Sequence, residues 1–337
     1  MSFKRFDPQD LVVSAESITQ AAWEGSAPTI TTFYTSSVQV AANTGKYYYN
    51  IYKDDPSTSA SASVQFAIAY ADLKSSGSTW FNPLVAGVGA SRVIYGQYRT
   101  LVLGDENSDF IFGNVSSSYF HALSIERSRY REKIFPGFNL KLSTAAGVSL
   151  RLSDNSNDQA SVVFNDAGRV YQVVSGSDGS AFSGTGYNNA SASYGLFLPD
   201  IGTILLNTSA LTSSWADGGI MMTVSQSSNS RGYNNRYLYN SIKAGANFTL
   251  RSEETLTSDY VFVRARNAEF NYSENPSFIS GSTGELIYPI FVESPQTYIT
   301  TIGLYNDANE LVAVAKLSKP LEKDFTKELL VRVKLDF

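Results

Sequence analysis

Alternation with a period of two is the sequence feature that most limits how this chain can fold. From Ala62 to Tyr70, every second residue is Ala, Val, Phe, Ile or Tyr, and the residues between them are Ser, Gln or Ala. Successive side chains of a strand point to opposite faces of a sheet, so this pattern is typical of a strand with one buried face. Val261, Val263 and Ala265 alternate in the same way with larger aromatic and basic neighbours.

The same pattern recurs along most of the chain. Clusters rich in Gly, Asn, Asp, Ser and Pro separate the alternating segments at short intervals. Charged residues make up 17% and aromatic residues 13% of the chain, which suits half-buried sheets. Further strands are predicted at residues 46–52, 93–103, 120–133, 138–142, 148–152, 170–174, 196–206, 220–224 and 248–251. The predicted fold class is all-β, with antiparallel sheets arranged as a sandwich or barrel, long loops, and little helix beyond a turn or two in residues 10–23.

Three parts of the chain are distinguished by composition. Residues 1–40 are expected to form an extended N-terminal arm, which either lies on another subunit or pairs within its own domain. Residues 41–290 are expected to form the main β domain, of one or two subdomains, with a long Ser/Gly/Asn-rich loop at 175–193. Residues 291–337 are expected to form a C-terminal β-unit of three strands.

The C-terminal unit has the clearest pattern in the chain. Residues 300–305 and 311–317 are predicted to form a hairpin around the turn Asn-Asp-Ala-Asn-Glu, and Pro320 is expected to end its second strand because proline donates no ladder hydrogen bond. The last strand carries one apolar face up to the final residue: Leu329, Val331, Val333, Leu335 and Phe337.

Charge and composition argue against several classes of function. The net charge is −5 and the pI is about 5.1, so the chain lacks the basic surface that phosphate backbones require. The absence of Cys rules out disulfides, thiol nucleophiles and Cys-based zinc sites. No run of about 18 apolar residues is present, and the N-terminus does not resemble a secretory signal. We expect no nucleic-acid partner, no membrane span and no cofactor.

Residues that could carry chemistry are few. The single histidine, His121, lies in an alternating segment and is expected to be a hydrogen-bonded or interfacial strand residue, since neither a GxSxG nor an HExxH motif is present. Two oxygen-rich segments, 105–109 and 154–158, are compatible with a bound Ca²⁺ or with ordinary turn chemistry, and neither continues as an EF-hand loop. We therefore nominate no catalytic, metal or cofactor residue and expect no enzyme.

The candidate interface residues are basic and aromatic. If residues 126–133 form a strand, its four basic side chains share one face, where they would pair with acidic groups of a neighbouring subunit or remain solvated: Arg127, Arg129, Arg131 and Lys133. A second set lies on the polar face of the strand around Val261: Phe262, Arg264 and Arg266. Phe337 completes the set.

Several whole segments resemble known proteins. The run ITTIGLYNDANELVAVAKLSKPLEKDFTKELLVRVKLDF resembles a closing segment of virion structural proteins of tailed bacteriophages. YGQYRTLVLGDENSDFIFG, the stretch from SGSDG to SYGLFLPDIGTILLN, and FVRARNAEFNYSENPSFISGSTGEL look like virion proteins of T4-like myoviruses that infect cyanobacteria. The resemblance covers most of the chain after about residue 10 and contains no catalytic motif.

This resemblance implies a non-enzymatic structural component of the virion, in the tail or baseplate region. Such a protein would be made in the host cytoplasm, incorporated in several copies, and bound to other virion proteins or to copies of itself. Alternatives are a head or neck decoration protein and a module that adheres to host-surface glycans through Trp80, Tyr187 and Trp215. A glycan-cleaving tail enzyme is a third alternative, for which no residue set stands out.

Overall fold

The computed structural model describes residues 4–36, 48–77, 89–144, 146–183, 193–224 and 233–336. Strands predominate and helices are few, which confirms the predicted all-β class. The chain forms two compact units, of which the larger is Ile18–Glu254 and the smaller combines Met1–Ser17 with Thr255–Phe337. These bounds differ from the predicted division at residues 40 and 290.

The strands are β1 (Leu11–Ala21), β2 (Thr29–Ile30), β3 (Tyr48–Tyr52), β4 (Val64–Asp72), β5 (Phe110–Phe112), β6 (Val115–Ser117), β7 (Tyr119–Ile125), β8 (Lys133–Ser143), β9 (Ser149–Asp154), β10 (Val163–Asn165), β11 (Gly168–Ser177), β12 (Ser180–Ala181), β13 (Gly195–Leu198), β14 (Thr203–Leu206), β15 (Asn247–Ala265), β16 (Thr297–Tyr305), β17 (Leu311–Lys323) and β18 (Leu329–Asp336). The helices are α1 (Ser91–Leu103), α2 (Thr208–Thr212), α3 (Tyr233–Gly245) and α4 (Ile290–Glu293). Short 3-10 helices lie at Pro8–Asp10, Glu24–Ser26, Arg127–Arg129, Pro199–Ile201 and Trp215–Asp217.

The larger unit is built on one antiparallel sheet in the order β15-β8-β9-β11-β13-β14-β7-β4-β3. Its central strands are buried on both faces. Adjacent residues of one strand point to opposite faces of the sheet, and here they belong to different hydrophobic clusters. In β4, Ile68 belongs to a cluster that includes Leu238 of α3, whereas Ala69 belongs to a cluster that includes Tyr95 of α1. The expectation of one buried face for this strand is therefore wrong, since α1 covers the small alanine side chains of the second face.

Two segments form helices where the sequence pattern predicted otherwise. Residues 93–103 are predicted as a strand, but they lie in α1, which buries one helical stripe: Ile94, Tyr95, Tyr98 and Val102. That spacing has a period near 3.6, and Gly104 ends the helix in the left-handed region, with its N–H donating to Thr100 O. Tyr233, Asn234 and Asn235 belong to a Gly/Asn cluster that the sequence predicts as a turn, but they are the first three residues of α3.

Two smaller expectations about secondary structure are also wrong, and a third is wrong in part. Residues 10–23 form the strand β1 instead of a helical turn, apart from the single 3-10 turn at Pro8–Asp10. Residues 220–224 form no strand. In the predicted loop 175–193, residues up to Ala181 form a tight hairpin between β11 and β12, and residues 184–192 lie outside the described part of the chain.

The smaller unit contains a hairpin and a two-stranded ladder. The hairpin of β16 and β17 confirms the sequence prediction, and Asn309 adopts a left-handed conformation at its turn (φ 62°). Pro320 does not end β17, because a register irregularity between Ile299 and Thr301 accommodates it and the strand continues to Lys323. The third strand, β18, pairs with β15 and not with the hairpin.

The N-terminal segment of the smaller unit pairs within its own chain. Strand β1 lies beside β15. The Lys4 ammonium contacts Arg264 O and the Glu269 carboxylate, both at 2.9 Å, and Asp10 accepts from Arg264 Nε at 3.0 Å. The predicted arm therefore contains a strand that pairs within this chain, and a contact of the arm with another subunit stays a prediction.

Candidate functional sites

The basic stripe predicted at residues 126–133 does not form. Strand β7 ends at Ile125, and the 3-10 helix Arg127–Arg129 turns the chain toward β8, so the side chains no longer alternate along one strand. Arg129 donates to Val64 O and Ser63 Oγ, at 3.2 and 2.6 Å. The other three basic side chains also have partners in this chain: Arg127 lies over the Tyr130 ring, Arg131 pairs with Glu254, and Lys133 pairs with Glu132.

The second candidate interface set has the predicted alternation. Val261 and Ala265 are buried, Phe262 is half-buried, and Arg264 and Arg266 are exposed. Whether these residues contact another subunit stays a prediction. Phe337 lies outside the described residues.

His121 is a fully buried strand histidine, as predicted. Its Nε2 lies 3.1 Å from Asn234 O, and its Nδ1 lies 2.8 Å from Thr208 Oγ1. A carbonyl oxygen only accepts, so we assign the proton to Nε2, and the Thr208 hydroxyl then donates to Nδ1. Burial lowers the pKa of His121 to about 4. The neutral imidazole therefore joins β7 to α2 and α3.

The two oxygen-rich loops use their oxygens in turn chemistry. Asp154 is fully buried and its carboxylate accepts three backbone N–H groups, from Gly137 at 2.6 Å and from Phe138 and Ser156 at 3.1 Å each. Asp105 accepts the N–H groups of Asn107 and Ser108 and the Ser108 hydroxyl. Among the described residues no group of three or more His, Asp or Glu side chains is arranged to hold a metal ion.

A pocket in the larger unit brings together polar groups that sequence reasoning did not connect. Its volume is about 420 Å³, and it lies where β4 ends and β7 begins, beside the segment that follows α2. It is lined by Tyr70, Asp72, Lys74, Tyr119, Thr212, Met221, Met222, Thr223 and Val224. Tyr70 and Asp72 continue the alternating face of β4, so their side chains lie on the same side of the sheet. This alternation is the sequence signal that places an acidic side chain beside an aromatic one there.

The pocket contains a nearly buried carboxylate. The side chain and backbone of Asp72 are only 2% exposed, and its Oδ1 accepts the Lys74 N–H at 2.9 Å. Burial raises the pKa of Asp72 above its ordinary value. Burial also raises the pKa of Tyr70, and the nearby charge of Asp72 raises it further. Both groups are therefore held in a region of low polarity.

No family model, curated protein or solved structure matches this chain. Helices long and apolar enough to cross a membrane are absent from the described ranges. Function is thus inferred from the geometry and from the resemblance of segments described above.

Exposed apolar side chains are concentrated in the smaller unit. This unit holds fewer than a third of the residues but 17 of the 27 exposed large apolar side chains in the described part of the chain. They are Phe6, Leu11, Val12, Val13, Phe270, Tyr272, Ile287, Tyr288, Ile290, Val292, Tyr298, Tyr305, Leu311, Val312, Val314, Phe325 and Leu330. The hydrophobic cluster of the hairpin and β18 has only three buried members, Val261, Leu304 and Val333.

Proposed function

We propose that this protein is a non-enzymatic structural component of a tailed-phage virion, in the tail or baseplate region, and that it acts through protein–protein contacts. The observation that carries the proposal is the concentration of exposed apolar side chains in the smaller unit. Single exposed apolar residues are ordinary, but a dense set of them marks a surface that another protein covers.

The hairpin supports this proposal in detail. Its inner side chains, such as Leu304, pack against Val261 and Val333, whereas Val312 and Val314 on β17 are 68% and 57% exposed. Tyr298 on β16 is 62% exposed. A protein without a partner for these residues would have an aggregation-prone strand pair on its surface.

The resemblance to virion proteins of T4-like myoviruses agrees with this use of the smaller unit. The segments that carry the resemblance include the hairpin and the strand β18. Virion proteins act as building blocks in several copies, so a surface that is left uncovered in one chain would be covered in the particle. We propose that copies of this chain or other virion proteins cover it.

Charge substitutions on the hairpin test the proposal. Val314→Glu places a carboxylate on the exposed hairpin face, and Val163→Glu places one on β10 of the larger unit, where Val163 has a similar exposure of 52%. We expect Val314→Glu to abolish self-association in analytical ultracentrifugation and incorporation into purified particles, and Val163→Glu to change neither. A wild-type chain that is strictly monomeric and absent from particles would contradict the proposal.

A further inference from the structure

The pocket where β4 ends and β7 begins is built on paired strands. Asp72 and Tyr119 are direct cross-strand partners, as are Tyr70 and His121. The Tyr70 ring also packs against the His121 ring, with 5.0 Å between the ring centroids. Since His121 is hydrogen-bonded on both ring nitrogens, the wall of the pocket that contains Tyr70 and Asp72 is held in place before any ligand arrives.

The pocket leaves several hydrogen-bonding groups available. In the described part of the chain, Asp72 Oδ2 and the hydroxyls of Tyr70, Tyr119 and Thr223 have no hydrogen-bond partner. These groups can accept and donate, and the Lys74 ammonium adds further donors. Asp72 is nearly buried as a residue, but its Oδ2 keeps some contact with solvent, so water or a ligand in the pocket can donate to this oxygen.

The other side of the pocket is apolar and held by backbone contacts. Met221, Met222 and Val224 supply thioether and methyl surface. Met221 adopts φ 50°, a left-handed conformation that is uncommon for a non-glycine residue, and its side chain is 57% exposed. The N–H groups of Met221 and Met222 donate to Ser213 O and Leu211 O, which holds this conformation. Residues kept in such conformations tend to cluster at binding sites.

These features select a ligand by its chemistry. One carboxylate and one ammonium leave the pocket without a strong net charge, which disfavours phosphates and other polyanions. Several hydroxyl and carboxylate groups opposite an apolar wall fit a molecule with a polar edge and an apolar face, as a sugar ring has. A volume of about 420 Å³ lies in the lower part of the usual range for ligand pockets.

We propose that this pocket binds one sugar unit of a neutral carbohydrate, with Asp72 and Tyr70 hydrogen-bonding its hydroxyl groups and Met221 contacting its C–H face. The site is independent of the exposed apolar surface of the smaller unit, so it can exist whether or not the chain assembles into a particle. It also differs from the glycan platform predicted from the sequence, because Trp215 does not line this pocket. Trp80 and Tyr187, the other two platform residues, lie outside the described residues.

Saturation-transfer NMR on the full chain tests this site, with glucose, galactose, mannose and N-acetylglucosamine as probes. We expect at least one of them to bind with a dissociation constant of about 1 mM or lower. Asp72→Asn and Tyr70→Phe preserve side-chain size and should each weaken binding about tenfold or more. Asp72→Asn removes the charge of a hydrogen-bonding group, and Tyr70→Phe removes the hydroxyl group itself. Trp215→Ala is the control and should bind as the wild type does.

Folding of the variants is checked by their thermal unfolding. Lys74→Met is a further variant at an exposed position, so its weaker binding would not arise from a damaged core. The proposal is overturned if none of the four sugars binds the wild type. It is equally overturned if Trp215→Ala abolishes binding while the pocket variants do not. Binding of a small organic cation, methylammonium, in the pocket together with no binding of the sugars would also overturn it.

Discussion

The burial of His121 predicts a specific dependence of stability on pH. The ordinary pKa of a histidine side chain is about 6.5, and burial lowers that of His121 to about 4. Between these two values the unfolded chain binds a proton that the folded chain does not. The free energy of unfolding is therefore highest above about pH 7 and decreases as the pH falls through this range.

The magnitude follows from the two pKa values. Between about pH 8 and pH 5 the free energy of unfolding should decrease by roughly 2 kcal/mol through His121 alone, with a slope near pH 5 of roughly 1 kcal/mol per pH unit. Most carboxylates titrate below this range. Asp72, whose pKa burial raises, acts in the opposite direction, because its folded form binds more protons than its unfolded form.

Two measurements check this prediction. Urea unfolding of the wild type and of His121→Gln, at a series of pH values, gives the two slopes, and the variant should lack most of the dependence between pH 8 and 5 even if it is less stable overall. NMR of the imidazole carbons reports one histidine only, since the chain has no other. An imidazole that titrates near pH 6.5 in the folded protein, or parallel profiles for the two proteins, would refute the reasoning.

Three further predictions, two on paired substitutions and one on a truncation, have a sign that the structure fixes. In thermal unfolding, Gly96→Ala in α1 should stabilise the protein by about 0.5 to 1 kcal/mol, because the new Cβ meets no atom within 4 Å. Gly245→Ala at the end of α3 should destabilise it by more than about 2 kcal/mol, because its Cβ would lie 1.8 Å from a carbonyl oxygen of β8. Equal effects of the two substitutions would contradict this prediction. The fully buried Lys323 ammonium donates to three oxygen atoms, and Lys323→Met leaves these three acceptors without a partner. This substitution should lower the free energy of unfolding, measured in urea, by about 2 to 4 kcal/mol. The exposed Lys319→Met is the control and should lower it by almost nothing. Ending the chain after Leu330 removes most of β18 and about 3 to 5 kcal/mol of stabilisation from apolar burial. Amide hydrogen exchange should then show a loss of protection in the half of β15 that pairs with β18. Retained protection there would show that β18 is dispensable.

The period-two alternation was sufficient to predict the fold class and several individual elements. It predicted the alternating faces of β15 and β18 and the hairpin of β16 and β17. These predictions succeed because strand periodicity and turn chemistry are local properties of the chain. His121 was likewise predicted as a hydrogen-bonded strand residue, since no motif in the sequence offered it a reaction.

Other features depend on contacts between residues that are distant in the chain. Aromatic and β-branched residues in α1 have strand propensity, but packing of Tyr95 and Tyr98 against the sheet stabilises them as a helix. Pairing of β18 with β15 also has no local signal, because its partner lies about 70 residues earlier. The pocket required β4 and β7 to be neighbours in the sheet, which places Asp72 beside Tyr119.

Local periodicity by itself therefore determined that this chain is made of strands and which side chains of each strand share a face. Tertiary structure alone decided which strands are neighbours, which of their faces the helices cover, and which apolar side chains remain on the surface. The physical reason is that alternation is set by the geometry of one strand, whereas burial depends on what the rest of the chain places against it.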